Sequence, residues 1–181
     1  MLIPIVLATP VLAGAQREPS LDDPAVRTQV ETLTAWAAEE AIRAAVIAHN
    51  GQELSLETIK ELDARWVAGD AEAKLQELLT NACAERLKGL LAVDPAYREG
   101  LVMGDQGALV CLTGPSSDYW QGDEAKWQRS FDDGSGRVFV DRPRYDSSSR
   151  AILVQMSVPI VEAERVIGVL TVGIDRARFE H

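Results

Sequence analysis

The sequence contains few histidines, which limits the chemistry open to it. Only His49 and His181 are present among 181 residues. Neither lies near the serine-rich stretch around Ser116, so a Ser-His-Asp arrangement has no base. No spacing of Cys, His and carboxylates is typical of a transition-metal site, and no glycine-rich phosphate motif follows a strand. The run Asp132–Gly136 lacks the alternating ligands of a calcium loop. We therefore predict no catalytic residue, no metal and no cofactor, and we expect that the chain is not an enzyme.

Positive charge is also scarce. Lys and Arg total 18 against 28 Asp and Glu, which gives a formal net charge of -10. A surface of this sign repels phosphate backbones and anionic membranes. We therefore expect no nucleic-acid partner.

Apolar runs are too short to span a bilayer, which needs roughly 20 residues. The first fifteen residues, MLIPIVLATPVLAGA, are uncharged and end in Ala13-Gly14-Ala15, the small-x-small pattern that signal peptidase cleaves. The Lys or Arg that usually opens a signal peptide is missing. We predict a signal peptide over 1–15, a linker over 16–23, and one domain over 24–181 in the periplasm or outside the cell. The alternative for the first segment is a buried strand or an apolar tail.

Two cysteines, Cys83 and Cys111, fit an oxidising compartment. Each lies in an apolar run, the first in a helical region and the second in a predicted strand. They either form a disulfide that ties helix to strand, worth about 3 kcal/mol, or are two small buried thiols. The sequence leaves both open.

The first half of the chain has the period of amphipathic helices. Apolar residues recur every three or four positions from Pro24 to His49, which predicts one long helix. A second helix is predicted to begin at Ser55. A third follows Asp70 and runs to about Leu91.

After Tyr97 the apolar runs become short, as in β-strands. Leu101–Met103 and Ala108–Thr113 flank Asp105-Gln106-Gly107, which predicts a hairpin. The further predicted elements are a short helix over Gly122–Phe131 and strands at Arg137–Asp141, Ile152–Val161 and Val166–Ile174. Helices followed by an antiparallel meander indicate an α+β fold rather than a parallel sheet.

One segment between the hairpin and the last strands carries a family resemblance. Thr113–Glu124, which leads into Lys126-Trp127, resembles the loop and short helix that cover the pocket of Cache domains, the PAS-like extracellular sensors of bacterial receptors. The stretch Arg144–Ser148 and the segments Val158–Ile160 and Val166–Val169 follow in the order that such domains use. The resemblance implies a stand-alone domain with a PAS-like five-stranded antiparallel sheet, a long N-terminal helix and further helices packed on the sheet.

The resemblance also implies capture of a small solute, commonly an amino acid, an amine or a carboxylate. Asp146 takes the place of the acidic residue that meets the ligand's ammonium group in amino-acid-binding relatives. Aromatic walls desolvate a ligand and hold a cation over a ring, and charged groups fix its orientation. The residues of these types that border the predicted strands, and that we predict to bind the ligand, are Asp118, Tyr119, Trp120, Asp123, Lys126, Trp127, Arg144, Tyr145 and Asp146.

We therefore predict an exported small-molecule-binding sensor domain that reports ligand occupancy to a membrane partner, such as a receptor, a kinase or a transport protein. The alternative is a structural or interaction protein with this fold and no ligand, which assembles through its long helix. A homodimer contact is expected on the small residues Ala37, Ala41 and Ala44, with Trp36 as its anchor.

Overall fold

Helices come first and strands afterwards in the computed structural model, which describes residues 19–146 and 149–179. The helices of this part of the chain are α1 (Pro24–Ala37), α2 (Glu40–Asn50), α3 (Leu56–Val67), α4 (Glu72–Thr80), α5 (Ala82–Leu91) and α6 (Ala125–Phe131). Its strands are β1 (Tyr97–Gly104), β2 (Leu109–Leu112), β3 (Phe139–Val140), β4 (Arg144–Asp146), β5 (Ala151–Glu162) and β6 (Arg165–Asp175). None of the described helices has the length and apolar character needed to cross a membrane. The predicted signal peptide, residues 1–15, lies outside the described residues.

The strands form one sheet in the order β2-β1-β6-β5-β3, and β4 also pairs with β5. Each pairing is antiparallel, so the predicted α+β class is confirmed. The sheet has six strands rather than the predicted five, because β3 and β4 are separate short strands that both pair with β5. Pro143 lies between β3 and β4. It has no N–H to donate, so it cannot make the hydrogen bond to β5 that would continue one strand into the other.

The two faces of the sheet bury separate sets of side chains, because side chains alternate along a strand. Val154, Met156 and Leu170 lie on the face that α1, α2 and α5 cover. Met103 and Val169 lie on the opposite face, in a cluster that includes side chains of α3, α4 and α6. The second face is the one that the predicted covering segment packs against.

The predicted single helix from Pro24 to His49 is wrong. α1 ends at Ala37 and α2 begins at Glu40, with Glu39 in an extended conformation (ψ 135°) between them. The break lets α1 lie on β5 while α2 packs on α5 and β1, so that each helix buries its own apolar stripe. The Glu39 carboxylate accepts hydrogen bonds from Arg86 of α5 at 2.7 and 3.1 Å. These bonds lower the pKa of Glu39.

The predicted helix that runs to Leu91 is also two helices, because Asn81 interrupts it. Asn81 has an extended backbone (ψ 168°), and its side chain accepts a hydrogen bond from the N–H of Ala84 at 2.9 Å. Its Nδ2 donates to the carbonyl of Val110 in β2 at 3.0 Å. An asparagine at an N-cap satisfies an amide that the helix leaves without a partner. The same side chain therefore caps α5 and fastens it to the sheet.

The cysteines provide a second link between α5 and β2. Cys83 and Cys111 form a disulfide with their Cα atoms 5.9 Å apart. Both residues are buried. Helix α5 is thus held to the edge of the sheet by one covalent bond and one side-chain hydrogen bond.

Trp36, the expected anchor of a homodimer, belongs to the domain's own core. It is only 8% exposed, and its ring packs edge-on against Tyr97 with 4.8 Å between the centroids. Ala37 is buried as well. The prediction that Trp36 anchors a dimer is therefore wrong, because the sheet already covers this part of the stripe.

Candidate ligand-binding cleft

A polar floor crosses the sheet where β1, β6 and β5 lie side by side. Gly173 of β6 stands opposite Glu99 of β1 on one side and Gln155 of β5 on the other. A Cβ at Gly173 would lie 2.5 Å from the Cγ of Glu99, so the glycine leaves the space through which the Glu99 side chain crosses β6. Gln155 Nε2 donates to Glu99 Oε1 at 2.8 Å. A carboxylate and an amide are therefore held together on the face opposite α1.

The connection between β3 and β4 forms a charged wall beside this floor. The backbone N–H of Asp141 donates to the carbonyl of Gln155 at 2.8 Å, which fixes the wall to β5. The Asp141 carboxylate pairs with Arg144 Nε at 3.2 Å. Since 63% of the Arg144 side chain is exposed, this ion pair is worth at most about 1 kcal/mol. A ligand can therefore compete for either partner.

Floor and wall enclose a cleft of about 200 Å³. Its lining residues are Glu99, Asp141, Arg142, Arg144, Tyr145, Asp146, Leu153 and Gln155. Three of them, at positions 144–146, belong to the predicted ligand-binding set. Three carboxylates and two guanidinium groups give the cleft charges of both signs, a combination that suits a zwitterion.

Asp146 and Tyr145 differ in how firmly the structure holds them. The Asp146 carboxylate is partly buried and accepts a hydrogen bond from the backbone N–H of Ser149 at 2.7 Å. Tyr145 is 69% exposed, so its ring is open to a ligand or to solvent. The Asp146 carboxylate is therefore held in one orientation before a ligand binds, whereas the Tyr145 ring is not held.

The other six predicted residues do not line the cleft. Trp127 lies in the cluster under α6, where its Nε1 donates to the carbonyl of Gly104 at 3.0 Å and its ring stacks on Phe131 at 4.9 Å. Asp123 is exposed and Lys126 half-buried, both near the start of α6. Asp123, Lys126 and Trp127 therefore belong to the region of α6 and not to the lining of the cleft.

The remaining three residues, Asp118, Tyr119 and Trp120, lie in the loop that precedes α6, and α3 holds the last two of them. Asp118 accepts a hydrogen bond from Gln121 within its own loop, and Tyr119 is fully buried. Trp120 Nε1 donates to the carbonyl of Gln106 at 2.8 Å, and Lys60 Nζ lies 4.5 Å from the centroid of its ring. The expected single pocket mouth is therefore divided between two regions of the structure.

Asp63, which is not among the residues predicted from the sequence to bind the ligand, positions this segment. Its Oδ1 accepts hydrogen bonds from the backbone N–H groups of Tyr119 and Trp120, at 2.8 and 2.9 Å. In the same helix, Trp66 Nε1 donates to the carbonyl of Ser116 at 3.0 Å. One carboxylate and one indole of α3 thus fix the backbone of the covering loop.

Glu99 and Gln155, the two residues of the floor, are not among the residues predicted from the sequence to bind the ligand. Gln155 is a polar residue inside the apolar run Ile152–Val161, and this irregularity was the available signal. Only the pairing of three strands brings it next to Glu99. Within residues 19–146 and 149–179, no group of three or more Cys, His, Asp and Glu is arranged to hold a metal ion.

No protein-family model matches the chain, and no curated protein matches it either. Similar solved structures include the ligand-binding domain of the Campylobacter jejuni chemoreceptor Tlp3 in complex with 4-methylisoleucine, with a TM-score of 0.43 and 14% identity over 86% of this chain and 62% of that one. The V. cholerae histidine kinase DctB sensor domain has a TM-score of 0.40 and 10% identity over 84% and 59% of the two chains. The Pseudomonas aeruginosa amino acid chemoreceptor PctC, in complex with GABA, has a TM-score of 0.43 and 14% identity over 70% and 60%.

These neighbours are sensor domains of bacterial receptors, the class that the sequence resemblance named. This chain spans less than two thirds of the length of each of them.

Proposed function

We propose that the chain is a sensor domain that binds a small charged solute in the cleft between Glu99 and Asp146. The observation that carries the proposal is the polar floor, where Gly173 leaves room for a carboxylate to cross the sheet. A carboxylate has about four acceptor positions, and Gln155 is the one donor to Glu99 that the floor supplies. Glu99 therefore keeps capacity for a ligand's ammonium group.

The proposed ligand is an amino acid, an amine or a carboxylate. An ammonium group would bind Glu99 or Asp146, and a carboxylate would bind the exposed guanidinium of Arg142. Charge-assisted hydrogen bonds of this kind are roughly twice as strong as neutral ones. Mixed charges in about 200 Å³ favour a molecule of the size of one amino acid.

The response to the ligand is proposed to begin at β4. This strand carries Arg144 and Asp146, and it pairs with β5 through three residues. A ligand that bridges Asp146 and Glu99 would hold this three-residue strand over the floor. We propose that a membrane receptor or kinase detects this change, and that the domain acts outside the cytoplasm, where its disulfide persists.

A thermal-shift screen with amino acids, amines and carboxylates tests the proposal. A compound at 100 times its Kd that binds only the folded state should stabilise it by about 2.7 kcal/mol. For an amine or an amino acid, Asp146→Ala should reduce the shift strongly, because Glu99 is then the one remaining proposed acceptor of the ammonium group. Its melting curve without ligand shows the separate cost of the lost bond to Ser149, about 1 kcal/mol. Asp123→Ala is the matched control, because this exposed carboxylate lies outside the cleft. Equal binding by the Asp146 and Asp123 variants would refute the assignment.

The second candidate is a structural or interaction protein with this fold and no ligand. The observation that favours it is the dense packing of Tyr119, Trp120 and Trp127, which fills part of the expected pocket. In that case no compound in the screen raises the melting temperature, and light scattering shows an assembled form. A monomer that binds a compound contradicts it.

A further inference from the structure

Strand β1 contains one extra residue where it pairs with β6. Tyr97 stands opposite Ile174. Glu99 stands opposite Gly173, so two steps along β1 match a single step along β6. Arg98 is therefore the extra residue of a β-bulge, an irregularity that bends a strand and redirects the side chains beside it. The bulge comes directly before the floor of the proposed sensor cleft.

The bulge decides which face of the sheet Glu99 occupies. Residues two apart in a regular strand point to the same face, and a shift of one residue moves a side chain to the other face. Tyr97 packs against Trp36 of α1. Glu99 lies on the opposite face, where it accepts a hydrogen bond from Gln155. Without the extra residue, Glu99 would share the α1 face with Tyr97 and would be absent from the cleft floor.

An ion pair holds the bulged residue to β6. Arg98 Nη2 donates to Asp175 Oδ2 at 2.8 Å, and the backbone N–H of Ala177 donates to the other oxygen of this carboxylate at 3.1 Å. These two bonds lower the pKa of Asp175, so it is charged at neutral pH. The N–H of Asp175 donates to the carbonyl of Ala96 at 2.8 Å. Asp175 thus contacts the chain both at the bulge and just before it.

The same ion pair keeps the charge of Glu99 available. Among the described residues, Asp175 is the ion-pair partner of Arg98, although Glu99 follows Arg98 directly in the chain. A guanidinium group on the Glu99 carboxylate would compete with an ammonium group for the same oxygen atoms. Asp175 therefore occupies the cation that lies nearest to Glu99 in the sequence.

We propose that Arg98 and Asp175 are positioning residues, which fix the bulge and thereby hold the Glu99 carboxylate over the cleft floor. This role rests on the proposed function, in which Glu99 binds an ammonium group. The side chains of Arg98 and Asp175 are 39% and 22% exposed, and partly exposed ion pairs add little to the stability of a domain. Variants that break the pair should therefore fold.

Nuclear magnetic resonance of the Gln155 side-chain amide, in the full chain without any added compound, tests the placement of Glu99. The amide donates to Glu99 Oε1, so its resonance in the wild type should differ from that in Glu99→Ala. In Arg98→Met the resonance should move toward its position in Glu99→Ala, whereas Arg98→Lys should keep it near the wild-type position. Arg178→Met is the matched control, because it breaks the neighbouring ion pair with Asp94 and should leave the resonance unchanged.

Titration with propylamine, which is protonated at neutral pH as lysine is, measures the consequence for binding. Affinity should fall about tenfold in Arg98→Met, and Arg98→Lys and Arg178→Met should bind as the wild type does. The direction of the change is decisive. Removal of a positive charge near the cleft would by itself raise the affinity for a cation, so a fall identifies the positioning role.

Two results would overturn the inference. One is that the Gln155 resonance of Arg98→Met coincides with that of the wild type, which would show that Glu99 is placed without the ion pair. The other is that Arg98→Met binds propylamine as tightly as the wild type or more tightly. If propylamine binds neither protein while the Gln155 resonance moves as expected, the placement of Glu99 is supported and amine binding in the cleft is contradicted, so the two failures are distinguishable.

Discussion

Breaking the Cys83–Cys111 disulfide should lower the free energy of unfolding by an amount that is set by the number of residues between the two cysteines. The two cysteines are 28 residues apart in the sequence. For a closed loop of about 29 residues, the chain-entropy relation gives about 12 cal/mol/K, or about 3.6 kcal/mol at 25 °C. For a domain of this size each kcal/mol moves the melting temperature by about 2–4 °C, so reduction should lower it by about 7–14 °C.

Circular-dichroism melting of the wild type, with and without a phosphine reductant, measures this shift. The double variant Cys83→Ala/Cys111→Ala is the control: the reductant should leave its melting temperature unchanged. The double variant should melt at or below the reduced wild type, because it also loses the buried sulfur atoms. A shift of less than about 2 °C on reduction would refute the reasoning, and would show that other contacts, such as those of Asn81, suffice to hold α5 on the sheet.

Three further predictions concern the covering loop, the pH dependence and the N-terminus. Asp63→Ala should lower the free energy of unfolding by about 2 kcal/mol, because it leaves two backbone N–H groups without their acceptor; denaturant unfolding checks this, and a loss below about 0.5 kcal/mol contradicts it. Burial lowers the pKa of His49 below 6.5 in the folded state, so its contribution to stability is complete above about pH 6.5 and declines as the pH falls through the folded pKa. His49→Gln should flatten that decline in unfolding curves between about pH 7.5 and 5.5, and an unchanged slope would count against it. Cleavage after Ala15 is expected in the native host, and mass spectrometry that finds residues 1–15 retained would refute export by this route.

The α+β class, the hairpins and the last strands were predictable because their signals are local. The turn between β5 and β6 is an example: Ala163 and Glu164 both have positive φ, of 46° and 61°, as a two-residue hairpin turn requires. Polar residues flanked by apolar runs were enough to locate it. Strand β4 was missed because its three residues are polar and gain their conformation only by pairing with β5.

The helix breaks divide into one that local sequence could reveal and one that it could not. Asn81 is a preferred N-cap residue inside a helical run, and it signals a new helix start. Glu39 stands in a run rich in Ala and Glu, which favours continuous helix. Its break depends on Arg86 and on the separate surfaces that α1 and α2 cover. Such tertiary causes leave no trace in the local sequence.

The candidate site was only partly predictable for a similar reason. Arg144, Tyr145 and Asp146 adjoin one another in the chain, so a sequence pattern could group them. Glu99 and Gln155 are 56 residues apart and meet only through the register of β1, β6 and β5. Trp127 was predicted to contact the ligand because aromatic rings often form pocket walls. In the structure its ring packs on Phe131 instead.

Titration calorimetry of Glu99→Gln with the best compound of the ligand screen tests the central claim most directly. The Glu99 carboxylate accepts a hydrogen bond from Gln155 Nε2 on the cleft floor, so removal of its charge should act on the ligand's ammonium group. The account predicts at least a tenfold loss of affinity for an amine or amino acid, about 1.4 kcal/mol, with a melting curve close to that of the wild type. Glu124→Gln, at an exposed position before α6, should bind as the wild type does. Equal affinity of the Glu99 and Glu124 variants would contradict the claim that the ligand lies over the floor of β1, β6 and β5.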